Sequence, residues 1–309
     1  MELYIEREFL DNFYIDYNAE PVQEIVKNII TGYGRKRVFI DFIESDFEKL
    51  EKDNKYFALI SNTLPPTPIE SIKDHLLLNS KFKQTLVFMN EEKNWFNKAE
   101  NKGALCFSFD NYKEKIKEII DNLHFKIDLS ENFTGWDFLQ RFKSIIFNNI
   151  VVSDNYILSD KSNQKMEKNI IPILCYLINK KKEKISISIF TKEVNPIKPD
   201  DEHKKEKANK RLTKLNSVFA QYRTKFSIIF TDYPFEFDFH DRHITTNFSL
   251  LECGKGFNLI PYKASNSRIT SETIFDKDTY KRLGNITKYQ NKYIRKIKKL
   301  DVKYKMYPE

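Results

Sequence analysis

Glycine is scarce in this chain. Seven glycines in 309 residues leave few places where the backbone can turn tightly or approach a ligand closely. The pair in Gly32-Tyr33-Gly34-Arg35 follows a helical pattern rather than a strand and lacks the third glycine of a dinucleotide loop, so it reads as a helix-ending turn. Cysteine is scarcer still. Cys106, Cys175 and Cys253 lie far apart in apolar settings, and no two have metal-ligand spacing. They read as reduced, buried thiols of a cytoplasmic protein. The histidines His75 and His203 stand alone, and no metal site or cofactor is assigned from the sequence. Long apolar runs are missing too. The longest, Ile170 to Ile178, is interrupted by Pro172 and is too short to span a bilayer. The first residues, Met-Glu-Leu-Tyr-Ile-Glu-Arg-Glu, show no basic region followed by an apolar stretch, so no signal peptide and no transmembrane segment are expected.

What the chain does have is apolar mass for two cores. Apolar residues make up 40% of it, with 26 Phe and 16 Tyr, and the length fits two domains. The expected fold class is α/β. Over 1–125, apolar runs at 3–5, 38–42, 57–61, 85–88 and 104–107 read as strands with helical patterns between them. Non-alternating strands separated by helices suggest a mostly parallel sheet covered on both faces. Residues 128–135 read as a connector. A second α/β pattern covers 136–275: a helix at 136–147, a strand at 150–156, a helix at 165–179, a strand at 185–190, a long helix at 201–222, and strands at 226–230, around 240 and at 246–251. A basic helical tail, 281–309, closes the chain.

Several carboxylates follow the first-domain strands: Glu6, Glu8, Asp11 and Asp16, then Asp41, Glu44 and Asp46, and finally Asp110. Converging at one end of a parallel sheet, they could hold Mg²⁺ or Mn²⁺ for a nuclease. Acidic residues are also expected at helix starts, and no Asp-x-Asp or Glu-x-Gly supports the metal reading. Both alternatives stay open.

The richest segment runs from Phe239 to Gly256. On an extended strand His240 and Arg242 share a face. An imidazole beside a guanidinium suits phosphate, whose oxygens the planar fork can take two at a time. Two of the seven glycines, Gly254 and Gly256, flank Lys255 in a turn that can present backbone N–H groups. His240, Arg242, Asn247 and Gly254 fall at the spacing His-x-(basic)-x4-(polar)-x6-Gly. This resembles the phospholipase D signature His-x-Lys-x4-Asp-x6-Gly, with Arg for Lys and Asn for Asp. Three motifs, Asp154-Asn155-Tyr156, His240-Asp241-Arg242 and Gly254-Lys255-Gly256-Phe257, resemble in order those of a phospholipase D-like branch. That branch comprises the C-terminal domain of the MIT-domain abscission protein and its bacterial relatives. The resemblance covers about 136–275 and implies a phospholipase D-like fold. It also implies a phosphate site of Arg242, Asn247, Gly254, Lys255 and Gly256, with His240 in the catalytic position. Active relatives pair two such histidines, so a single-motif chain would need a homodimer partner. The abscission branch binds phosphate groups without hydrolysis.

The tail carries the charge. Between Lys281 and Glu309 ten basic residues face only Asp301 and Glu309, which accounts for the whole net charge of +8. Ile286, Tyr289, Tyr293, Ile297, Leu300 and Tyr304 recur at helical spacing, with Lys288, Lys292, Arg295, Lys296, Lys298 and Lys299 on the other faces. Such a helix could dock by one side and offer the other to nucleic acid, to an anionic membrane surface, or to water alone. The expected role is a phospholipase D-like, phosphate-binding protein that acts on or reads nucleic acid. The setting by analogy is a multi-subunit prokaryotic anti-phage or conflict system. A non-catalytic module for a phosphorylated ligand or a membrane, and a metal nuclease in the first domain, are the alternatives.

Overall fold

The computed structural model describes residues 1–34, 36–78, 82–130, 133–145, 147–158, 160, 163–178, 184–192, 201–231, 242–299 and 306–308, with backbone alone at 201–204 and 299. The chain has two compact units. The first is Met1–Asp121 with Ile274–Lys281, and the second is Asn122–Thr273 with Arg282–Glu309. Residues 122–125 therefore belong to the second unit and 274–275 to the first, shifts of a few residues from the expected boundaries.

The first unit is built on a fully parallel sheet of β1 (Glu2–Ile5), β2 (Arg37–Ile40), β3 (Thr67–Pro68), β4 (Thr85–Met89) and β5 (Ala104–Ser108), in the order β3-β2-β1-β4-β5. Its helices are α1 (Arg7–Asp16), α2 (Pro21–Lys27), α3 (Phe47–Asp53), α4 (Lys55–Thr63), α5 (Ile72–Leu78), α6 (Phe96–Asn101) and α7 (Tyr112–Leu123), the last of which ends in the second unit. Every residue of β4 and β5 is buried, as both-face coverage requires. On one face Tyr4, Phe39, Val87 and Cys106 pack with Ile72 and Leu76 of α5 and with Phe96 and Ala99 of α6. On the other, Phe9 of α1 meets Phe88 and Tyr112.

The expected strand at 57–61 is instead part of α4. Asn54 caps it, accepting the N–H groups of Tyr56 and Phe57. Tyr56, Phe57 and Ile60 turn inward while Leu59 stays exposed. The short apolar run did not distinguish strand from helix, and the cap decides it. After α2 the chain winds through a π turn, Asn28–Gly32. Buried Lys36 donates its ammonium to Ile29 O and Ile30 O, and burial pushes its pKa down to about 8.

The second unit holds an eight-stranded mixed sheet. Its strands are β6 (Phe125–Asp128), β7 (Asn149–Ser153), β8 (Ile185–Thr191), β9 (Thr224–Phe230), β10 (His243–Thr245), β11 (Ser249–Cys253), β12 (Arg268–Thr273) and β13 (Met306–Tyr307). Their order is β13-β9-β8-β7-β10-β11-β12-β6. β7, β8 and β9 run parallel, while β10, β11, β12 and β6 alternate antiparallel. Helices α8 (Ile171–Leu177) and α9 (Asp201–Val218) belong to this unit.

Here too the elements differ from expectation in ways the packing explains. The segment just before the expected connector is a strand, β6, which pairs with β12 and ends at Asp128. Segment 136–147 forms a 3-10 stretch, Asp137–Ser144. Segment 165–178 winds through a π turn, Met166–Ile170, straight into α8, with Pro172 just after the change of winding, where an α-helical ladder would miss its N–H. The expected strand at 246–251 is the turn and second arm of the β10–β11 hairpin.

The tail is a structural element rather than an appendage. Helix α10 (Lys277–Lys299) continues from the first unit into the second. Tyr293 and Ile297 are buried against Val151, Phe190 and Ile229, the Tyr293 hydroxyl donates to Phe230 O at 2.6 Å, and Arg282 pairs with Glu252 and Glu272. Farther on, β13 pairs with β9. Lys288, Lys292, Arg295 and Lys298 remain exposed, Lys296 is half-buried, and Lys299 is placed by its backbone. Among the described residues, no helix is long and apolar enough to cross a membrane.

Candidate phosphate-binding site

The first and third sequence motifs meet where β7 ends, with Arg242 of the second beside them. After Ser153 the chain turns at Asp154, which is buried. Asp154 Oδ1 accepts the Tyr156 N–H at 2.8 Å, a local turn that its short side chain favours. Its Oδ2 accepts the Phe257 N–H at 2.6 Å. One carboxylate thus ties the first motif to the third across more than a hundred residues. Burial pushes the Asp154 carboxyl up from its ordinary value, against the pull of its two N–H bonds and of nearby Arg242 and Lys165.

Arg242 stands just before β10. Its Nη1 donates to Gly254 O at 2.7 Å, and its guanidinium lies over the Tyr156 ring, 5.3 Å from the centroid. Its own carbonyl accepts the Cys253 N–H at 3.1 Å. The turn beneath needs glycine for two reasons. Gly256 has φ +84°, and a Cβ there would lie 2.5 Å from Asp154 Oδ2 and 2.7 Å from Arg242 Cδ. Lys255, at the crest of the turn, is exposed. A guanidinium has five N–H donors, and Gly254 O takes one of them. The group is therefore aimed by its surroundings without being used up by them.

This cluster sits at the carboxyl ends of the parallel strands β7, β8 and β9, where open α/β sheets place ligands. No protein-family model matches this chain, and no curated protein is significantly similar to it. The site is therefore read from its own geometry. Behind it, Asn155 Oδ1 accepts the Thr231 hydroxyl at 3.0 Å, and that hydroxyl also lies 3.1 Å from Thr191 O. Buried Asn169, in the π turn, donates to Ile260 O at 3.1 Å and accepts the N–H groups of Leu259 and Ile260. It thereby fixes the exit of the Gly254–Phe257 turn. Buried Arg211 of α9 donates to Asp160 O and Asn163 Oδ1.

Asn247 is not in this cluster. It lies in the β10–β11 hairpin turn, at the other end of β10, on the order of 10 Å away at the ~3.3 Å rise of a strand residue. There its Oδ1 accepts the N–H groups of Asn148 and Asn149, both at 3.1 Å, and its Nδ2 donates to Asn148 Oδ1 at 2.7 Å. A buried amide with both ends engaged holds the hairpin and is not a phosphate ligand. His240 and Asp241 lie outside the described residues. His243 is buried, with Nε2 3.2 Å from Gln290 Nε2, which also donates to Ser153 Oγ.

Sequence reasoning missed Thr191, Thr231, Asn169, Arg211 and Gln290. Gln290 left a signal, being the one amide on the inward stripe of α10 between Ile286 and Tyr293. The others are polar residues whose partners lie far away in sequence. The cysteines also need correcting: Cys106 and Cys253 are buried, whereas Cys175 is exposed.

The first-unit carboxylates do not converge on a metal. Glu6 and Asn90 lie across the switch point between β1 and β4, but Glu6 Oε2 accepts the Asn90 N–H at 2.5 Å and Oε1 faces Lys93 at 3.4 Å. Asp41 accepts the Arg7 N–H at 2.6 Å, and burial pushes its carboxyl up. Asp11 and Asp46 both face the Arg7 side chain. Among the described residues, no three His, Cys, Asp or Glu side chains form a metal-ligand group.

Proposed function

We propose that the second unit is a phospholipase D-like domain that holds a phosphate of nucleic acid on Arg242 and the Gly254-Lys255-Gly256 turn. On this reading the chain serves as a subunit or effector of a prokaryotic anti-phage or conflict system. The observation that carries the proposal is that the first and third motifs meet beside Arg242: Asp154 is bonded to Phe257 N, and Arg242 is held between Gly254 O and Tyr156. The cationic face of α10, in the same unit from Arg282 onward, supports nucleic acid as the source of the phosphate. Two positions favour binding over turnover. Arg242 stands where the signature has lysine, keeping the charge. Asn247, in place of aspartate, is absorbed in the hairpin. Any hydrolysis would pass through His240 and need a second copy of it from a partner chain.

Binding of a short phosphodiester oligomer, followed by anisotropy, tests the proposal. Arg242→Ala should lower affinity about tenfold or more, the ~1.5–3 kcal/mol of a charge-assisted hydrogen bond. Arg242→Lys should restore part of it. Equal affinities for all three proteins would refute the phosphate site.

A further inference from the structure

Tyr156 is 49% exposed, beside buried Asp154 and Phe257. Scattered surface aromatics are ordinary, but this one is held in place. Its N–H is bonded to Asp154, its carbonyl lies 3.5 Å from the Lys165 ammonium, and its ring carries the Arg242 guanidinium. Here the backbone is clamped on both sides while half the residue faces solvent, next to a cation that has donors to spare.

We infer that Tyr156 is a stacking platform for an unpaired nucleobase, and that the ligand of this site is single-stranded nucleic acid. This rests on the phosphate reading of Arg242. The chemistry favours a nucleotide over a lipid headgroup, phosphoserine or phosphothreonine because none of these has a π face to place on the ring. A duplex hides its base faces within the stack, so only an unpaired base can reach it. Arg242 would serve both parts of one nucleotide: its stack on Tyr156 fixes the platform, and its free N–H groups take the adjoining phosphate. Stacking on a protein aromatic is indifferent to base identity, since every base has a π face. The site would therefore prefer single strands with little preference among sequences.

The test compares the full chain's affinity for a short single-stranded oligothymidylate with that for an abasic oligomer of the same length. Both carry the same phosphates, so contacts from α10 cancel in the ratio. The wild type should bind the base-bearing oligomer about tenfold more tightly. Tyr156→Ala should bring that ratio close to one, and Tyr156→Trp should keep it. A 2-aminopurine placed in the oligomer should be quenched on binding to the wild type and not to Tyr156→Ala. A ratio near one in the wild type, or one unchanged in Tyr156→Ala, overturns the inference. If Arg242→Ala still weakens both oligomers in that case, the phosphate site stands and only the stacking falls. If Arg242→Ala changes neither, the phosphate reading falls and takes this inference with it. Tight binding to phosphoinositide vesicles with no discrimination between the oligomers also overturns it, in favour of a lipid headgroup.

Discussion

At the scale of single residues two positions make direct predictions, Gly256 in the candidate site and Lys36 in the first unit. Gly256 combines a positive φ with contact to the Asp154 carboxylate. Gly256→Ala must therefore strain the backbone and push a buried carboxylate and Arg242 apart. The expected cost is about 2 kcal/mol or more, seen as a lower denaturation midpoint, together with weaker oligomer binding. A variant as stable as wild type would show that the turn is looser than its geometry implies. Lys36 makes a prediction about pH. Its pKa falls from 10.5 unfolded to about 8 folded, through burial. Between those values the unfolded chain holds a proton that the folded chain has lost, so stability rises with pH. The gain is on the order of 3 kcal/mol across the window and is absent below pH 8. Denaturation midpoints measured from pH 7.5 to 10.5 should rise in the wild type relative to Lys36→Met. Parallel profiles would mean that the two carbonyls of the π turn keep the ammonium charged.

At the scale of elements, α10 matters most, since it both completes a core and carries the charge. Tyr293 and Ile297 lie in the apolar cluster of β7, β8 and β9, so Tyr293→Ala should cost about 3 kcal/mol or more, as large aromatic truncations do. Deleting the helix would unfold the unit it was meant to probe. The clean variant instead neutralises the exposed cations Lys288, Lys292, Arg295 and Lys298 with glutamine. If each meets a phosphate, the log–log salt dependence of nucleic-acid binding should flatten by about 3–4 units at ~0.9 per contact, with all sequences weakened alike. An unchanged slope would leave the helix a packing element with a solvated face. The inward stripe of α10 was legible as periodicity, because its spacing repeats locally. What the stripe packs against was not, because that depends on strands more than sixty residues away. The same limit explains α4, where a five-residue apolar run carries no period long enough to read, and the hairpin, where the register turns on the bonds of Asn247 to Asn148 and Asn149.

For the molecule as a whole, the periodicity of the chain pointed to α/β with a parallel first sheet, and the first unit has that parallel sheet while the second has a mixed one. Spacing alone drew Asn247 into the site, because a motif counts residues while a hairpin reverses direction between them. Composition could place acids after the first-unit strands but not say what they bond. The structure engages Glu6 with Asn90 N and Lys93, and Asp41 with the Arg7 N–H. A metal would have to displace Asn90 N or Lys93 to recruit Glu6, and a catalytic group built on His240 would need no metal. If the chain hydrolyses phosphodiesters, the rate should then stay within about twofold in EDTA and in Glu6→Gln or Asp41→Asn. His240→Ala should lose on the order of 10³-fold, the scale of removing an acid–base group. Because one chain supplies one such histidine, the rate per chain should also fall on dilution as a paired site comes apart. Activity that vanishes in EDTA, returns with Mn²⁺ and survives His240→Ala would move the chemistry to the first unit and leave the Arg242 cluster as a site for binding alone.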